Sequence, residues 1–252
     1  MQTKFTDLSD SHWQHIKKYL EFHKPRHHDL RQIFNAILWL TRTGSQWRNM
    51  ESKYPKWQTV YYYYRIWKKQ GILDLMLRDL VKVDRVRQGR NPQPTAAAID
   101  SQSVKVVAFI GEDTGVDGGK KINGRKRHLL VDTLGLPIAI DVSSASTADF
   151  LGGYELLVQV EQNQQKLELI RGDQHYAHQF REAASWFDIR VEAGKRPPSQ
   201  KGFVPQIGRW QVERSFGWMN FFRRLSKDYE KLAESSVAFI QLMFISIILA
   251  RN

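Results

Sequence analysis

The chain has 252 residues, with 38 Lys or Arg against 26 Asp or Glu, and a sequence pI of about 9.8. This length is enough for one or two domains with a buried core, and 42% hydrophobic residues exclude a chain that is disordered throughout. The lack of cysteine excludes disulfides, iron–sulfur clusters, thiolate zinc sites and a cysteine nucleophile.

The positive charge is concentrated in the first part of the chain. Residues 1–95 hold 18 Lys or Arg and 8 Asp or Glu, a net charge of +10, whereas residues 96–252 hold 20 and 18, a net charge of +2. This asymmetry favours nucleic-acid or membrane contact by the first part, although a basic surface that only maintains solubility has the same composition. We find no secretion signal and expect a cytoplasmic protein without membrane contact.

Helical periodicity dominates the basic part. We predict four helices with stops at Gly44 and Gly71: Leu8–Leu20, His28–Thr43, Trp57–Lys69 and Ile72–Val86. Short helices rich in Arg, Lys and Trp are typical of a helix-turn-helix-like DNA-binding unit. We therefore assign residues 1–90 to a helical DNA-binding domain and residues 91–95, with Pro92 and Pro94, to a linker.

After the linker, short strands alternate with helices. The predicted strands are Ala96–Asp100, Val104–Phe109, His128–Asp132, Pro137–Val142, Leu167–Arg171 and Asp188–Glu192. The predicted helices are Phe150–Gln164, Gln179–Phe187, Ile207–Leu225 and Ser235–Ala250. The apolar segment 237–250 is too short to cross a bilayer, so we predict a buried core helix there. This order predicts an α/β domain over residues 96–252.

Three acidic residues need an explanation. Asp100 and Asp173 adjoin apolar strands, where a carboxylate is costly unless it is solvated, paired or bound to a metal. Each one alone is equally well explained as a strand-end turn residue or a helix cap. Glu213 shares a predicted helix face with Arg209, Gly217, Asn220 and Arg224, where it could simply pair with Arg209. The order of two strand aspartates and one helical glutamate is also what converging metal ligands require.

Five stretches of the chain closely resemble the DDE transposases of bacterial insertion sequences, in the group of insertion-sequence family five. They are ILWLTRTGSQWRNM, KWQTVYYYYRIWKKQG, AIDSQSVKV, DGGKKINGRKRHLLVDTLGLP and WQVERSFGWMNFFRRLSKDYEKL. The resemblance runs from about Leu8 to the C-terminus. It implies a ribonuclease-H-like mixed-sheet catalytic domain whose acidic triad is Asp100, Asp173 and Glu213.

The resemblance also implies the chemistry. Two Mg²⁺ ions, with Mn²⁺ as a substitute, would activate the nucleophile and stabilise the leaving oxygen of a phosphodiester. Hard cations of this kind prefer carboxylate oxygens. On this interpretation Asp100 bridges both ions, while Asp173 and Glu213 each hold one.

The chain departs from the family pattern near two of these residues. Arg209 matches a conserved step before the glutamate, but Gln206 and Asn220 stand where relatives have Tyr and Lys. Arg223, Arg224 and Lys227 are the predicted replacements for that lysine as DNA contacts. After Asp173, Gln174 and His175 replace small glycines, and Tyr176 is retained.

Further DNA contacts are predicted from a basic run between the first strands. We place this run in a glycine-containing loop that could bind backbone phosphate; the alternative is a solvated hairpin tip. The residues of the run are Lys120, Lys121, Arg125, Lys126 and Arg127. For Trp210 we favour core packing over base stacking. His175 and His178 lack further ligands at zinc-site spacing, so we leave the histidines outside the site.

These observations favour a DNA transposase that binds terminal inverted repeats and target DNA, nicks DNA and transfers the freed 3′ end. We expect a homodimer or larger assembly on DNA, because such reactions pair two DNA ends. The first alternative is a catalytically silent DNA-binding regulator derived from a transposase. The second is an RNA-directed nuclease on the same fold, which we rank lowest.

Overall fold

A computed structural model describes residues 5–20, 28–107, 112–194 and 209–251. These residues form eight α-helices and six β-strands within the described ranges. The helices are α1 Asp10–Leu20, α2 Leu30–Thr43, α3 Trp57–Lys69, α4 Ile72–Arg87, α5 Asp149–Gln162, α6 Gln179–Ser185, α7 Trp210–Met219 and α8 Ala233–Leu249. The strands are β1 Ala96–Lys105, β2 Gly115–Asp117, β3 Ile122–Asp132, β4 Pro137–Ser144, β5 Leu169–Gly172 and β6 Arg190–Ala193.

The chain forms two compact units that do not follow the predicted domain boundaries. The first unit comprises Met1–Val81, Met219–Ser226 and Ala238–Asn252, and the second comprises Lys82–Trp218 and Lys227–Val237. Two segments from the last third of the chain therefore belong to the helical unit. No helix in the described part of the chain is long and apolar enough to span a bilayer.

The first unit is held together by aromatic and aliphatic packing. Trp67 is fully buried, with its ring 5.9 Å from that of Phe34. Phe239 of α8 stacks on Tyr64 of α3 at 5.2 Å, which is why the end of α8 belongs with these helices. Most side chains of α8 from Ala238 to Leu249 are apolar and buried, which removes them from water, as the sequence predicted.

The ends of α2 show how local sequence sets the helix limits. Asp29 caps its start, because the Asp29 carboxylate accepts hydrogen bonds from the backbone N–H groups of Arg31 and Gln32 at 2.8 and 3.3 Å. The predicted start at His28 is therefore two residues early. Gly44 ends the helix with φ 70°, and its N–H donates to the carbonyl oxygen of Leu40, as the predicted stop requires.

The second unit is built on a mixed sheet with strand order β2-β3-β1-β5-β6, in which β4 also pairs with β3. The β1–β3 and β3–β4 pairs are antiparallel, and the β1–β5 and β5–β6 pairs are parallel. Helices α5 and α6 cover one face with a core that includes Ile99, Leu130, Leu157, Ile170 and Phe180. The predicted α/β fold class, a helical N-terminal part followed by a mixed sheet, is confirmed.

Two predicted elements were wrong in detail. We expected a strand break at Asp100, but β1 is continuous, because its pairing with β3 runs from Ala97 to Lys105 and satisfies the backbone throughout. We also expected one helix over 207–225, but α7 ends at Met219, and Phe222 is extended and buried beneath the guanidinium of Arg42 at 5.0 Å. Residues 207 and 208 lie outside the described residues.

Candidate active site

The first acidic residue of the site, Asp100, lies within β1 opposite Leu129 of β3. The backbone N–H of Ser101 donates to Asp100 Oδ1 at 2.7 Å. Burial raises the pKa of Asp100 above its ordinary value, although Arg209 and the Ser101 N–H oppose this shift. Ionisation of the Asp100 carboxyl group is therefore unfavourable at this position, and a further positive charge nearby would stabilise the ionised form.

The second acidic residue, Asp173, follows directly after β5. Strands β1 and β5 are parallel and pair through Ala98 and Arg171, so Asp100 and Asp173 each lie two residues beyond this pair. Asp173 caps the short 3-10 helix Gln174–Tyr176, and its Oδ1 accepts from the backbone N–H of His175 at 2.9 Å. The parallel pairing explains why residues 73 positions apart in sequence meet at one edge of the sheet.

Arg209 links the two aspartates. Its Nη2 lies 3.1 Å from Asp100 Oδ2 and 4.0 Å from Asp173 Oδ2. All three side chains are partly exposed, at 16% for Arg209, 18% for Asp100 and 25% for Asp173. We call Asp100, Asp173 and Arg209 the site cluster. It presents two carboxylates around one point of positive charge at the surface of the second unit.

Glu213 lies on α7 one turn after Arg209, since its backbone N–H donates to the Arg209 carbonyl oxygen at 3.3 Å. Its side chain is exposed. Within the described ranges, no three His, Asp or Glu side chains form a group that could hold a metal ion. The structure thus brings together two members of the predicted triad and Arg209, and it places Glu213 nearby in sequence without grouping it with the aspartates.

Among the predicted DNA contacts, the basic run after β2 divides into two parts. Lys120 and Lys121 are exposed in the turn between β2 and β3. We predicted that Arg125, Lys126 and Arg127 lie in this loop. They lie instead in β3, where all three side chains are buried. The sequence misled us because the glycines of the turn are followed at once by charged residues, which are unusual in the centre of a sheet.

The buried position of Arg125 is explained by acceptors around both of its Nη groups. Its guanidinium lies 3.4 Å from Asp228 Oδ2 and donates to the carbonyl oxygens of Glu230, Lys231 and Glu112 at 2.8 to 3.0 Å. Ser236 completes the group, donating to both carboxylate oxygens of Asp228. We call Arg125, Asp228 and Ser236 the Arg125 cluster. The two Nη groups of Arg125 donate to protein acceptors, and the side chains of Arg125 and Asp228 do not face solvent.

The basic residues after α7 also fall into an exposed and a buried group. Arg223 and Lys227 are exposed. Arg224 is buried, donates to the carbonyl oxygen of Ser45 at 3.1 Å and lies over the ring of Phe239 at 4.9 Å. Because α7 ends at Met219, Asn220 and Arg224 do not continue the face that carries Glu213, contrary to our expectation.

The expectation for Trp210 was wrong. Trp210 is 44% exposed instead of buried, and one face of its ring is covered by the guanidinium of Arg214 at 4.3 Å. His175, which we left outside the site, contacts Asp173, since its Nδ1 lies 3.1 Å from Asp173 Oδ2. The only sequence signal for His175 was its position two residues after Asp173. Gln206, the other departure from the family pattern, lies outside the described residues.

Comparison with known proteins gives consistent results along the chain. A model of the IS4/5 transposase family matches residues 8–77, and two models of the transposase DDE domain match residues 91–201 and 171–250. The chain is 29% identical over 80 residues to the uncharacterized protein y4sN of Sinorhizobium fredii, a match that covers 30% of this chain and 63% of that relative. A solved structure of a pre-cleavage Mos1 transpososome aligns with a TM-score of 0.31 and 10% identity, over 92% of this chain and 78% of that one.

Proposed function

We propose, from the premise that the chain belongs to the DDE transposases of insertion sequences, that it binds the terminal inverted repeats of its element, cleaves DNA there and joins the freed 3′-OH to target DNA. The observation that carries this proposal is the site cluster, in which Asp100 and Asp173 face one positive charge at the edge of the sheet. The reaction would take place on bacterial DNA in the cytoplasm, in a homodimer or larger assembly.

The donor set fits Mg²⁺ or Mn²⁺. Asp100 and Asp173 supply hard carboxylate oxygens that already converge on a cationic group, and burial makes the ionised form of Asp100 depend on such a charge. Glu213, one turn from Arg209, would complete the ligands. A bound divalent ion supplies Lewis acidity at the phosphate and lowers the pKa of an attacking water.

The remaining residues would hold the DNA. Lys120 and Lys121, exposed in the β2–β3 turn, would contact backbone phosphate, and Arg223 and Lys227 would do so elsewhere on the surface. We do not propose direct DNA contact for Arg125, Lys126, Arg127 or Arg224, because their side chains are buried and contact protein acceptors or an aromatic ring.

The test is Asp100→Asn in a Mg²⁺-dependent cleavage assay on duplex DNA that carries the terminal repeats of the element. We expect cleavage to fall by about a thousandfold or more, since the change removes a charge where the reaction develops charge. Asp141→Asn, a partly buried aspartate on β4 of the same sheet, is the matched control and should cleave as wild type does. Equal cleavage by wild type and Asp100→Asn would overturn the proposal.

A second function, a DNA-binding regulator without catalysis, is favoured by one observation. The Arg209 guanidinium already offsets part of the negative charge of the two aspartates in this structure. On this reading the protein binds DNA in a salt-sensitive manner and cleaves it with neither Mg²⁺ nor Mn²⁺. Metal-dependent cleavage by the wild-type protein would exclude it.

A further inference from the structure

We propose that Asp149, the first residue of α5, is a positioning residue that links Asp100 to Asp173. This inference rests on the proposed function. The first link runs through Ser101, whose Oγ donates to Asp149 Oδ1 at 2.8 Å. The backbone N–H of the same Ser101 donates to Asp100 Oδ1 at 2.7 Å. Asp149 therefore fixes the residue that holds the first catalytic carboxylate.

The second link runs through His175. Its ring Nδ1 is within hydrogen-bond distance of Asp173 Oδ2, at 3.1 Å, and lies 3.9 Å from Asp149 Oδ2, which is an electrostatic contact and not a hydrogen bond. Its backbone N–H donates to the other oxygen of Asp173. The two oxygens of Asp149 thus face opposite sides of the site: Oδ1 faces the support of Asp100, and Oδ2 faces the support of Asp173. A single carboxylate couples two residues that come from different strands.

Lys126 keeps Asp149 in place. Its Nζ lies 2.8 Å from Asp149 Oδ1 and donates to the carbonyl oxygen of Thr147 at 2.7 Å. Lys126 is buried, so this pair is little screened by water. Burial of Asp149 alone would raise its pKa, but the hydrogen bonds from Lys126 and Ser101 outweigh burial and lower it. Asp149 is consequently a fixed anion, and Lys126 has a positioning role instead of a DNA contact.

The buried Tyr176 lies beside the elements that position Asp149 and Asp173. Its ring packs against α5 and β5 where glycines leave room: a Cβ on Gly153 or Gly172 would come within 3.3 or 3.0 Å of the ring. Burial, followed by the negative charges of Asp100, Asp149 and Asp173, raises the pKa of Tyr176 well above its ordinary value.

The experiment uses the full chain and two measurements: cleavage of terminal-repeat DNA with Mg²⁺, and Mn²⁺ binding by electron paramagnetic resonance without DNA. The test variant is the double variant Asp149→Asn with Lys126→Met, which removes both charges and so avoids a buried unpaired lysine. We expect cleavage to fall at least tenfold and the Mn²⁺ dissociation constant to rise at least threefold. Asp141→Asn is the control and should change neither value.

If the double variant does not fold, as judged by its thermal unfolding, Ser101→Ala and His175→Ala decide the question, because each removes one link. Either one should raise the Mn²⁺ dissociation constant at least twofold. Unchanged Mn²⁺ binding in the folded variants overturns the positioning role of Asp149, even where cleavage is reduced. Absence of cleavage by the wild-type protein would instead refute the proposed function, and the Mn²⁺ measurement would still test the link.

Discussion

The Arg125 cluster and the site cluster use the same residue types in opposite ways. Arg125 and Asp228 are buried, and both Nη groups of Arg125 and both carboxylate oxygens of Asp228 have protein partners. Arg209, Asp100 and Asp173 remain partly exposed, and one guanidinium serves two carboxylates. A buried ion pair that protein groups surround maintains the fold, whereas two partly exposed carboxylates that share one guanidinium are suited to binding an additional cation.

The largest effect on stability is expected from Arg125→Met. Removing the guanidinium leaves Asp228 and several carbonyl groups buried without their donor, which costs about 3–5 kcal/mol in the free energy of unfolding. Urea unfolding measures this loss. Lys121→Met, an exposed neighbour in the β2–β3 turn, is the control and should stay within about 0.5 kcal/mol. A stable Arg125→Met protein that loses only DNA affinity would reverse our assignment of this residue.

The next largest effect is a pH dependence of the free energy of unfolding, which we expect from the buried side chain of His128. His128 is fully buried on β3, contacts Ser143 Oγ at 2.9 Å, and burial lowers its pKa from 6.5 to about 4. Between these values the unfolded chain binds a proton that the folded chain does not, so the free energy of unfolding falls as the pH drops, by up to about 3 kcal/mol.

Urea unfolding at several pH values between 7 and 4 tests this prediction with His128→Gln. The variant is expected to lose part of the acid sensitivity of the wild-type protein, because it has no group that titrates there. The exposed His178→Gln serves as the control. A His128→Gln profile parallel to that of wild type would contradict the assignment.

A smaller effect on stability is expected in the site cluster. Arg209→Gln removes a partly exposed ion pair, so the free energy of unfolding should change by about 1 kcal/mol or less. Its effect on Mg²⁺-dependent cleavage should be much greater, about tenfold or more, since Arg209 contacts both catalytic aspartates. Thermal unfolding and the cleavage assay, run on one preparation, measure the two changes. A loss of several kcal/mol would place Arg209 with the structural charges instead.

The smallest effect on stability is expected from Lys120→Gln with Lys121→Gln. Both side chains are exposed, so the free energy of unfolding should not change measurably. If both contact phosphate, the slope of the logarithm of DNA affinity against the logarithm of salt concentration should decrease by about 2. A fluorescence titration at several salt concentrations measures the slope. An unchanged slope would show that the solvated hairpin tip was the correct interpretation.

The elements of the fold could be predicted from the sequence to different degrees. The limits of α3 were correct, and those of α4 were correct to one residue, because helical periodicity and the stop at Gly71 are local signals. The continuity of β1 through Asp100 could not be predicted, because it depends on hydrogen bonds to β3, which begins 22 residues further along the chain. The same limitation applies to the end of α7, where Phe222 packs against Arg42.

The candidate site shows the same division. Asp100 and Asp173 stood out because a carboxylate beside an apolar strand is costly, and Arg209 stood out through the family pattern. Asp149 gave no such signal, since an acidic residue at the start of a helix is common and has a sufficient local explanation. We excluded His175 from the site because its spacing does not fit a zinc site. That argument does not consider a contact between His175 and one carboxylate, that of Asp173.

The sequence by itself determined three features of the protein: a basic helical beginning, an α/β remainder, and acidic residues beside apolar strand segments. These follow from periodicity and from the cost of charge beside apolar residues, both of which are local. Only the tertiary structure decided which charged side chains are buried in the protein and which are exposed to solvent. That decision separates Arg125 from Lys121, four residues apart, because strand pairing buries one side chain and leaves the other in water.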